Sequence, residues 1–180
     1  MSPAGVELIA MQCVRCQNPL LAQPDEVFWV CANCGQAQIL SDEHGLAPEV
    51  IHYAAGIAQN TPGKPVWVVS GQALLNRQTY SGDESRDMLQ FWAQPRLFYI
   101  PAYNLPLDQL MDSCLRLLRQ AAPLQEVKSP ASFYPVTVHA EDLQALAETI
   151  VLAVEAERKD MLKVLDFKVQ LGNPEMWIVP

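Results

Sequence analysis

Four of the chain's five cysteines lie near its N-terminus as two pairs. Each pair encloses two residues, and fourteen residues separate one pair from the other. Because a C-x2-C turn lets both sulfurs face one point, two such pairs can surround one metal ion as a tetrahedron with bonds of about 2.3 Å. The spacing therefore predicts a metal centre whose ligands are Cys13, Cys16, Cys31 and Cys34.

Three kinds of chemistry fit this quartet. Structural Zn2+ is favoured, because four thiolates leave no open coordination position and the metal would then hold the fold without performing a reaction. The main rival is a rubredoxin-like Fe(Cys)4 centre for electron transfer, whose ligand spacing can be similar. A redox-active dithiol is the least favoured, because two pairs are present and no thioredoxin-like βαβ pattern surrounds them.

Residues 11–40 resemble the zinc-ribbon family. The resemblance rests on the four cysteines, on Gly35 directly after the second pair, and on the β-rich residues 27–30. It implies one structural Zn2+ per chain on a small three-stranded sheet, with one strand leaving the first pair, one returning to Cys31 and one following Cys34. It implies no single activity, because zinc ribbons occur in transcription proteins, translation proteins, enzymes and adaptors.

The two turns of the quartet are not equivalent in sequence. Gly35 suits the positive φ that such a turn tends to need, since glycine adopts it without a steric penalty. At the corresponding position of the first pair stands Gln17. The first turn thus departs from the cleanest form of the motif.

The whole chain is predicted to be α+β: a small N-terminal three-stranded zinc ribbon followed by an α+β domain of antiparallel hairpins and two amphipathic helices. We expect the ribbon at residues 1–40, a linker rich in Gly and Pro at 41–64, and the α+β domain at 65–180. A short helix is expected around residues 49–58 of the linker. For residues 41–180 no family is identified.

Apolar periodicity defines the elements of the second domain. Residues 66–80 and 88–103 predict a long β-hairpin around the polar turn "SGDESRD". Helices are expected at residues 105–120 and 140–159, where apolar residues recur at spacings of three and four. A strand at 164–171 and a turn at 172–174 lead to the C-terminal segment, whose likeness to residues 94–101 suggests that the domain has two related halves.

Charge favours a protein partner over a nucleic acid. The net charge is −8, and the first 48 residues contain five acids but a single base, Arg15. Affinity for nucleic acid depends on Lys and Arg that neutralise phosphates, so this segment has the wrong sign. Neither a signal peptide nor an apolar stretch long enough to span a membrane is recognisable, and we expect a cytoplasmic protein.

The remaining residues suggest no reaction. We expect His44, His52 and His139 to be polar surface residues, and Cys114 to be a small buried hydrophobe. The charged run at residues 155–160 is expected to be solvated. Tryptophans and other aromatic residues fall on predicted strands, which favours a role in the core. Glycine-rich phosphate loops and hydrolase motifs are absent from the sequence, and we expect no enzyme activity.

These observations predict a non-enzymatic interaction or assembly module in a larger protein complex. The ribbon would offer Leu20, Leu21, Phe28 and Trp29 as apolar anchors for a partner. A nucleic-acid-binding or transcription-associated zinc ribbon is the alternative. Electron transfer by an iron centre is a further alternative.

Overall fold

One long strand organises the fold. The computed structural model describes residues 11–41, 43–80, 86–121, 124–158 and 161–180, and strand β5 spans Lys64–Thr79. Residues 65–69 of β5 are all buried, as expected for a strand covered on both faces. From Ala73 onward buried and accessible residues tend to alternate, because one face of this half meets solvent.

Within these described residues, the strands form two sheets and are accompanied by three α-helices. The remaining strands are β1 Phe28–Val30, β2 Ala37–Ser41, β3 Gly45–Glu49, β4 Ile51–Ala54, β6 Arg96–Pro101, β7 Glu126–Val127, β8 Leu162–Leu171 and β9 Glu175–Val179. The helices are α1 Arg86–Ala93, α2 Leu107–Arg119 and α3 Leu143–Ala156, the last preceded by a 3-10 turn at Ala140–Asp142. This confirms a mixed α+β fold.

The larger sheet is built around β5. Its strand order is β6-β5-β9-β4-β7, and β8 also pairs with β5. On one edge of β5 lies β6, antiparallel. On the other edge, β9 pairs with residues 64–68 and β8 with residues 71–79, so β8 and β9 run as two successive partners of the same strand. The pair of β4 and β9 is parallel, whereas the other pairs of this sheet are antiparallel.

The predicted hairpin is partly wrong. Strands β5 and β6 do pair, with Val66 opposite Pro101 and Gly71 opposite Arg96. However, the first part of the expected second strand forms helix α1, which buries Met88 and Trp92. These two residues stand four apart and so lie on one helical face, a spacing that the apolar run concealed. Of the predicted polar turn, residues 81–85 lie outside the described residues.

The N-terminal segment at residues 11–49, which we call the ribbon, also differs from the prediction. Strands β1 and β2 match the strands expected before and after the second cysteine pair. No strand forms between residues 17 and 27, and the third strand is β3, which pairs antiparallel with β2. The prediction of a helix around residues 49–58 is wrong, because the end of β3 and all of β4 lie in the first part of this range.

Both predicted amphipathic helices are confirmed. Helix α2 buries Leu110, Cys114 and Leu118 and packs on β6 and α3. Helix α3 buries four apolar residues on one face and contacts β8. Its end also carries a buried acid, Glu155. The prediction that this charged run is solvated is therefore wrong for Glu155.

The C-terminal turns of α3 are tied to three other elements by ion pairs. Glu155 accepts from Nε of Arg77 on β5 at 2.6 Å, and both side chains are 1% exposed. Arg158 donates to Asp87 of α1 at 3.0 Å and holds the pKa of that carboxyl below its usual range. Glu157 accepts from Arg119 of α2. Lys159 and Asp160, the rest of the run, lie outside the described residues.

The ribbon sheet and the larger sheet share one hydrophobic core. Phe28 of β1 is 0% exposed, and its ring meets the ring of Trp67 edge-on at 6.3 Å between centroids. The segment around Val136 lies between them: its carbonyl accepts from Val27 at 2.9 Å, and the carbonyl of Val138 accepts from the indole of Trp67 at 2.9 Å. Whether residues 1–40, 41–64 and 65–180 behave as separate units, and whether the last has two related halves, stays a prediction.

We expect Glu155→Gln to lower the free energy of unfolding by about 3–5 kcal/mol, because it removes a buried charge that pairs with Arg77. Urea denaturation followed by circular dichroism measures the loss. The matched control is Glu157→Gln, whose half-exposed pair with Arg119 should cost at most about 1 kcal/mol. Equal effects of the two variants would contradict the importance of the buried pair.

Candidate metal centre

Each cysteine pair sits on a tight turn with the same hydrogen bonds. In the first turn the amide of Gln17 donates to the carbonyl of Cys13 at 2.8 Å. In the second, the amide of Gly35 donates to the carbonyl of Cys31 at 2.8 Å. A tight turn is therefore present at each pair, as the spacing predicts.

The residue after each second cysteine has a left-handed backbone. Gly35 has a φ of 72°, as its position in the turn predicts, and Gln17 has a φ of 60°. Glycine adopts this region freely, whereas a residue with a Cβ pays roughly 1–2 kcal/mol. The first turn therefore keeps the geometry of the second in spite of its unfavourable residue.

The turns bring all four sulfurs together. The Sγ atoms of Cys13, Cys16, Cys31 and Cys34 lie within 4.8 Å of one another. Across the pairs, the Sγ atoms of Cys13 and Cys34 are 3.6 Å apart, and those of Cys16 and Cys31 are 3.5 Å apart. A tetrahedron with metal–sulfur bonds of about 2.3 Å has sulfurs about 3.8 Å apart. The quartet thus forms a four-cysteine group that fits a metal ion.

Hydrogen bonds to sulfur favour the thiolate that a metal requires. The amide of Asn18 and the side chain of Asn33 lower the pKa of Cys16 to about 6. Nδ2 of Asn33 lies 3.6 Å from this sulfur, and the amide of Arg15 donates to Cys13 Sγ at 3.4 Å. Such donors around a metal ligand orient it and adjust its basicity.

The sulfur of Cys34 has the opposite tendency. The amide of Gln36 acts to lower the pKa of Cys34, but burial and the three neighbouring thiols raise it to about 12. A cation at the centre of the four sulfurs would favour thiolates at all of them. The cluster is therefore suited to a positive ion, because thiolates so close together repel one another without one.

The first turn is held against the ribbon sheet by a buried glutamine. Gln38 of β2 is 0% exposed, and its Oε1 accepts from the amide of Val14 at 2.9 Å. Opposite Gln38 on strand β1 lies Trp29, whose indole donates to a carboxylate oxygen of Glu26 at 2.9 Å. Sequence reasoning missed Gln38, although a glutamine between two apolar strand residues is a weak sign of a buried polar contact.

The other candidate residues lie away from the quartet. Cys114 is buried in α2, and burial raises the pKa of its thiol to about 12, as expected for an inert core residue. His52 stacks on Trp177 at 4.8 Å, with Nδ1 2.8 Å from a carboxylate oxygen of Glu126. Within the described residues, no cluster of three or more His, Cys, Asp or Glu side chains other than the four cysteines could hold an ion.

Phe28 and Trp29 do not form the predicted anchor surface. Both are buried, at 0% and 5% exposure. Phe28 belongs to the main core, and Trp29 is the strand partner of Gln38, whose side chain bonds the first cysteine turn. Of the four predicted anchors, Leu21 is fully accessible and Leu20 is partly so.

No protein-family model, curated protein or solved structure matches this chain. The site is therefore interpreted from its own geometry, which is that of four clustered cysteines able to bind a metal ion. Among the described residues, no helix is both long enough and apolar enough to cross a membrane.

We expect opposite effects from two substitutions in the equivalent turns. Gly35→Ala should destabilise the ribbon by about 1 kcal/mol through backbone strain, since an added Cβ would meet no atom within 4 Å. Gln17→Gly should stabilise it by about 1 kcal/mol, because it relieves that strain at an exposed position. Metal release to a competing chelator measures both, and a loss of stability in Gln17→Gly would contradict the equivalence of the turns.

Proposed function

We propose that this chain is a non-enzymatic zinc-ribbon protein that serves as an interaction module in a larger protein assembly. In this proposal the four-cysteine centre binds one structural Zn2+, and the ribbon presents an apolar loop to the partner. The observation that carries the proposal is the side chain of Leu21, which is 96% exposed within a loop that follows the first cysteine pair.

The choice of zinc rests on the ligand set. Four thiolates in a tetrahedral arrangement are the donors of structural zinc sites, and they leave no position for a substrate. Cys13 and Cys31 are buried, whereas Cys16 and Cys34 are partly accessible, so the centre lies near the surface with two of its ligands covered. Its role would be to fix the two turns and the loop between them.

The loop at residues 17–23 is uncharged and exposed over most of its length. It has no charged residue in a chain whose net charge is −8. Its base is fixed by a bond from the amide of Leu20 to the carbonyl of Met11 at 2.9 Å and by a bridge between Gln12 and Pro19. An exposed leucine on an anchored, uncharged loop is the type of side chain that fills a pocket on a partner.

Nucleic-acid binding through the ribbon receives less support. Arg15 is the single base of the first 48 residues, and it lies between two of the proposed metal ligands. A phosphate-binding surface would need several Lys or Arg side chains. The electron-transfer alternative uses the same four ligands, and metal analysis separates it from zinc.

We expect the purified protein to be colourless and to contain one zinc per chain by elemental analysis. Cys31→Ser should lose the metal and unfold the ribbon, because zinc binding in such sites contributes roughly 10–16 kcal/mol. Cys114→Ala is the matched control and should keep the metal, since Cys114 is buried in α2. A red protein containing iron would contradict zinc, and retention of metal by Cys31→Ser would contradict the ligand set.

We expect Leu21→Ser to lose a partner that the unchanged chain retains. The measurement is affinity purification from the source cells with quantitative mass spectrometry. The matched control is Leu107→Ser, which changes a leucine that is 70% exposed at the start of α2. Truncating a central apolar anchor should reduce recovery at least about tenfold. Equal recovery with both variants would contradict a role for the loop.

A further inference from the structure

A groove lies where the ribbon meets the rest of the protein. Its volume is about 370 Å³. One side is the ribbon turn with Pro24 and Asp25; the other consists of Tyr103, Tyr134 and the residues next to them. The two sides come from distant parts of the chain, so the groove exists because the ribbon packs on the larger sheet.

The ribbon side is a proline turn with Asp25 at its third position. The amide of Glu26 donates to the carbonyl of Gln23 at 3.3 Å, and Asp25 has a φ of 64°. Glycine would take this conformation more easily. A carboxylate of Glu26 fixes the turn, because it accepts from the amide of Gln23 at 3.1 Å and from the indole of Trp29 at 2.9 Å.

The other side presents two tyrosine rings. Tyr103 and Tyr134 stack at 5.6 Å between centroids with an angle of 23°, and Tyr134 is 41% exposed. Two backbone hydrogen bonds fix the segments that carry the rings. The amide of Tyr134 donates to the carbonyl of Gly63 at 3.1 Å, and the amide of Thr137 donates to the carbonyl of Ala102, next to Tyr103, at 2.7 Å. The rings therefore offer a fixed aromatic surface.

The charge on the lining of the groove favours a cationic ligand. Asp25 is the one charged residue among those that line it. The carboxylate of Glu26 accepts a hydrogen bond within the turn. By contrast, Asp25 is exposed, and its carboxylate bonds no other group in the part of the chain that the structure describes. With a net charge of −8 on the chain, a ligand that reaches this carboxylate is favoured when it is cationic.

We infer that this groove binds an extended, proline-containing peptide of a partner protein, with an Arg or Lys next to the prolines contacting Asp25. Aromatic-lined grooves recognise proline-rich segments because the polyproline II helix is already extended and loses little entropy on binding. Prolines would pack on the rings of Tyr103 and Tyr134, with the base at the ribbon turn. The inference rests on the proposed interaction function, since it names the chemistry of one partner.

Single-stranded nucleic acid is the competing occupant, because bases also stack on aromatic rings. Such sites combine stacking with a basic surface that follows the phosphates. The lining of this groove contains an acid and no base. The charge therefore favours the basic peptide.

The test measures fluorescence anisotropy of the full, metal-loaded chain with a set of short Pro-x-x-Pro peptides that carry Arg at each flanking position. Matched sets carry Glu in place of Arg or Ala in place of Pro, and an oligothymidine of similar length is the nucleic-acid probe. We expect dissociation constants below about 1 mM only for the peptides that carry both Arg and the two prolines, and these constants should rise with salt. No Arg peptide binding at that level, or tighter binding of oligothymidine, would overturn the inference.

Three variants locate the binding site. Tyr134→Ala should weaken the best peptide at least about tenfold, whereas Tyr80→Ala, an exposed tyrosine beyond the far end of β5, should not. Asp25→Asn should weaken it about two- to fivefold. Asp25→Gly should do the same while raising resistance to urea, which separates the charge from stability. Unchanged binding in Tyr134→Ala and Asp25→Asn would overturn the inference.

The proposals for the groove and for the Leu21 loop can be rejected independently of each other. If partner recovery depends on Leu21 but no peptide binds, the groove inference alone is rejected. If peptides bind in the groove but Leu21→Ser and Leu107→Ser recover the same proteins, the loop proposal is rejected and the groove stands.

Discussion

The packing of Phe28 against Trp67 is the contact on which the arrangement of the molecule depends. It places the ribbon sheet on the core of the larger sheet, and the segment at residues 132–138 bonds to both. A unit of about 40 residues buries little apolar surface by itself, so it is stabilised by a metal, a neighbouring core or both. Here the cysteines hold one face of the ribbon, and the shared core holds the other.

Burial on both faces also explains the polar residues inside the protein. Gln38 lies under the first cysteine turn, where an apolar side chain would leave the amide of Val14 without its acceptor. Arg77 and Glu155 join β5 to the end of α3, a region that is closed to solvent. Buried charges contribute little net stability when paired but are costly to separate, so this pair fixes where α3 lies more than it adds to stability.

The sequence predicted what local spacing determines. The cysteine pairs, helices α2 and α3, and strand β8 follow from ligand geometry or from apolar periodicity, which neighbouring residues specify by themselves. Helix α1 was missed because its apolar residues are nearly continuous, and periodicity cannot then separate a helix from a strand. The burial of Phe28, Trp29 and Glu155 was missed because it depends on contacts between elements distant in sequence.

The left-handed residues of the ribbon show how strain relates to the two proposed sites. Among the described residues other than glycine, Gln17 and Asp25 have positive φ. At Gln17 the turn brings Cys13 and Cys16 toward a common point, so metal binding would offset the cost of the strained backbone. The turn at Asp25 holds no metal ligand, and glycine would form it at lower cost. Aspartate tolerates the left-handed region better than most residues other than glycine. Its carboxylate is then the feature that glycine could not supply, and an exposed charge beside an aromatic groove fits the proposed peptide ligand.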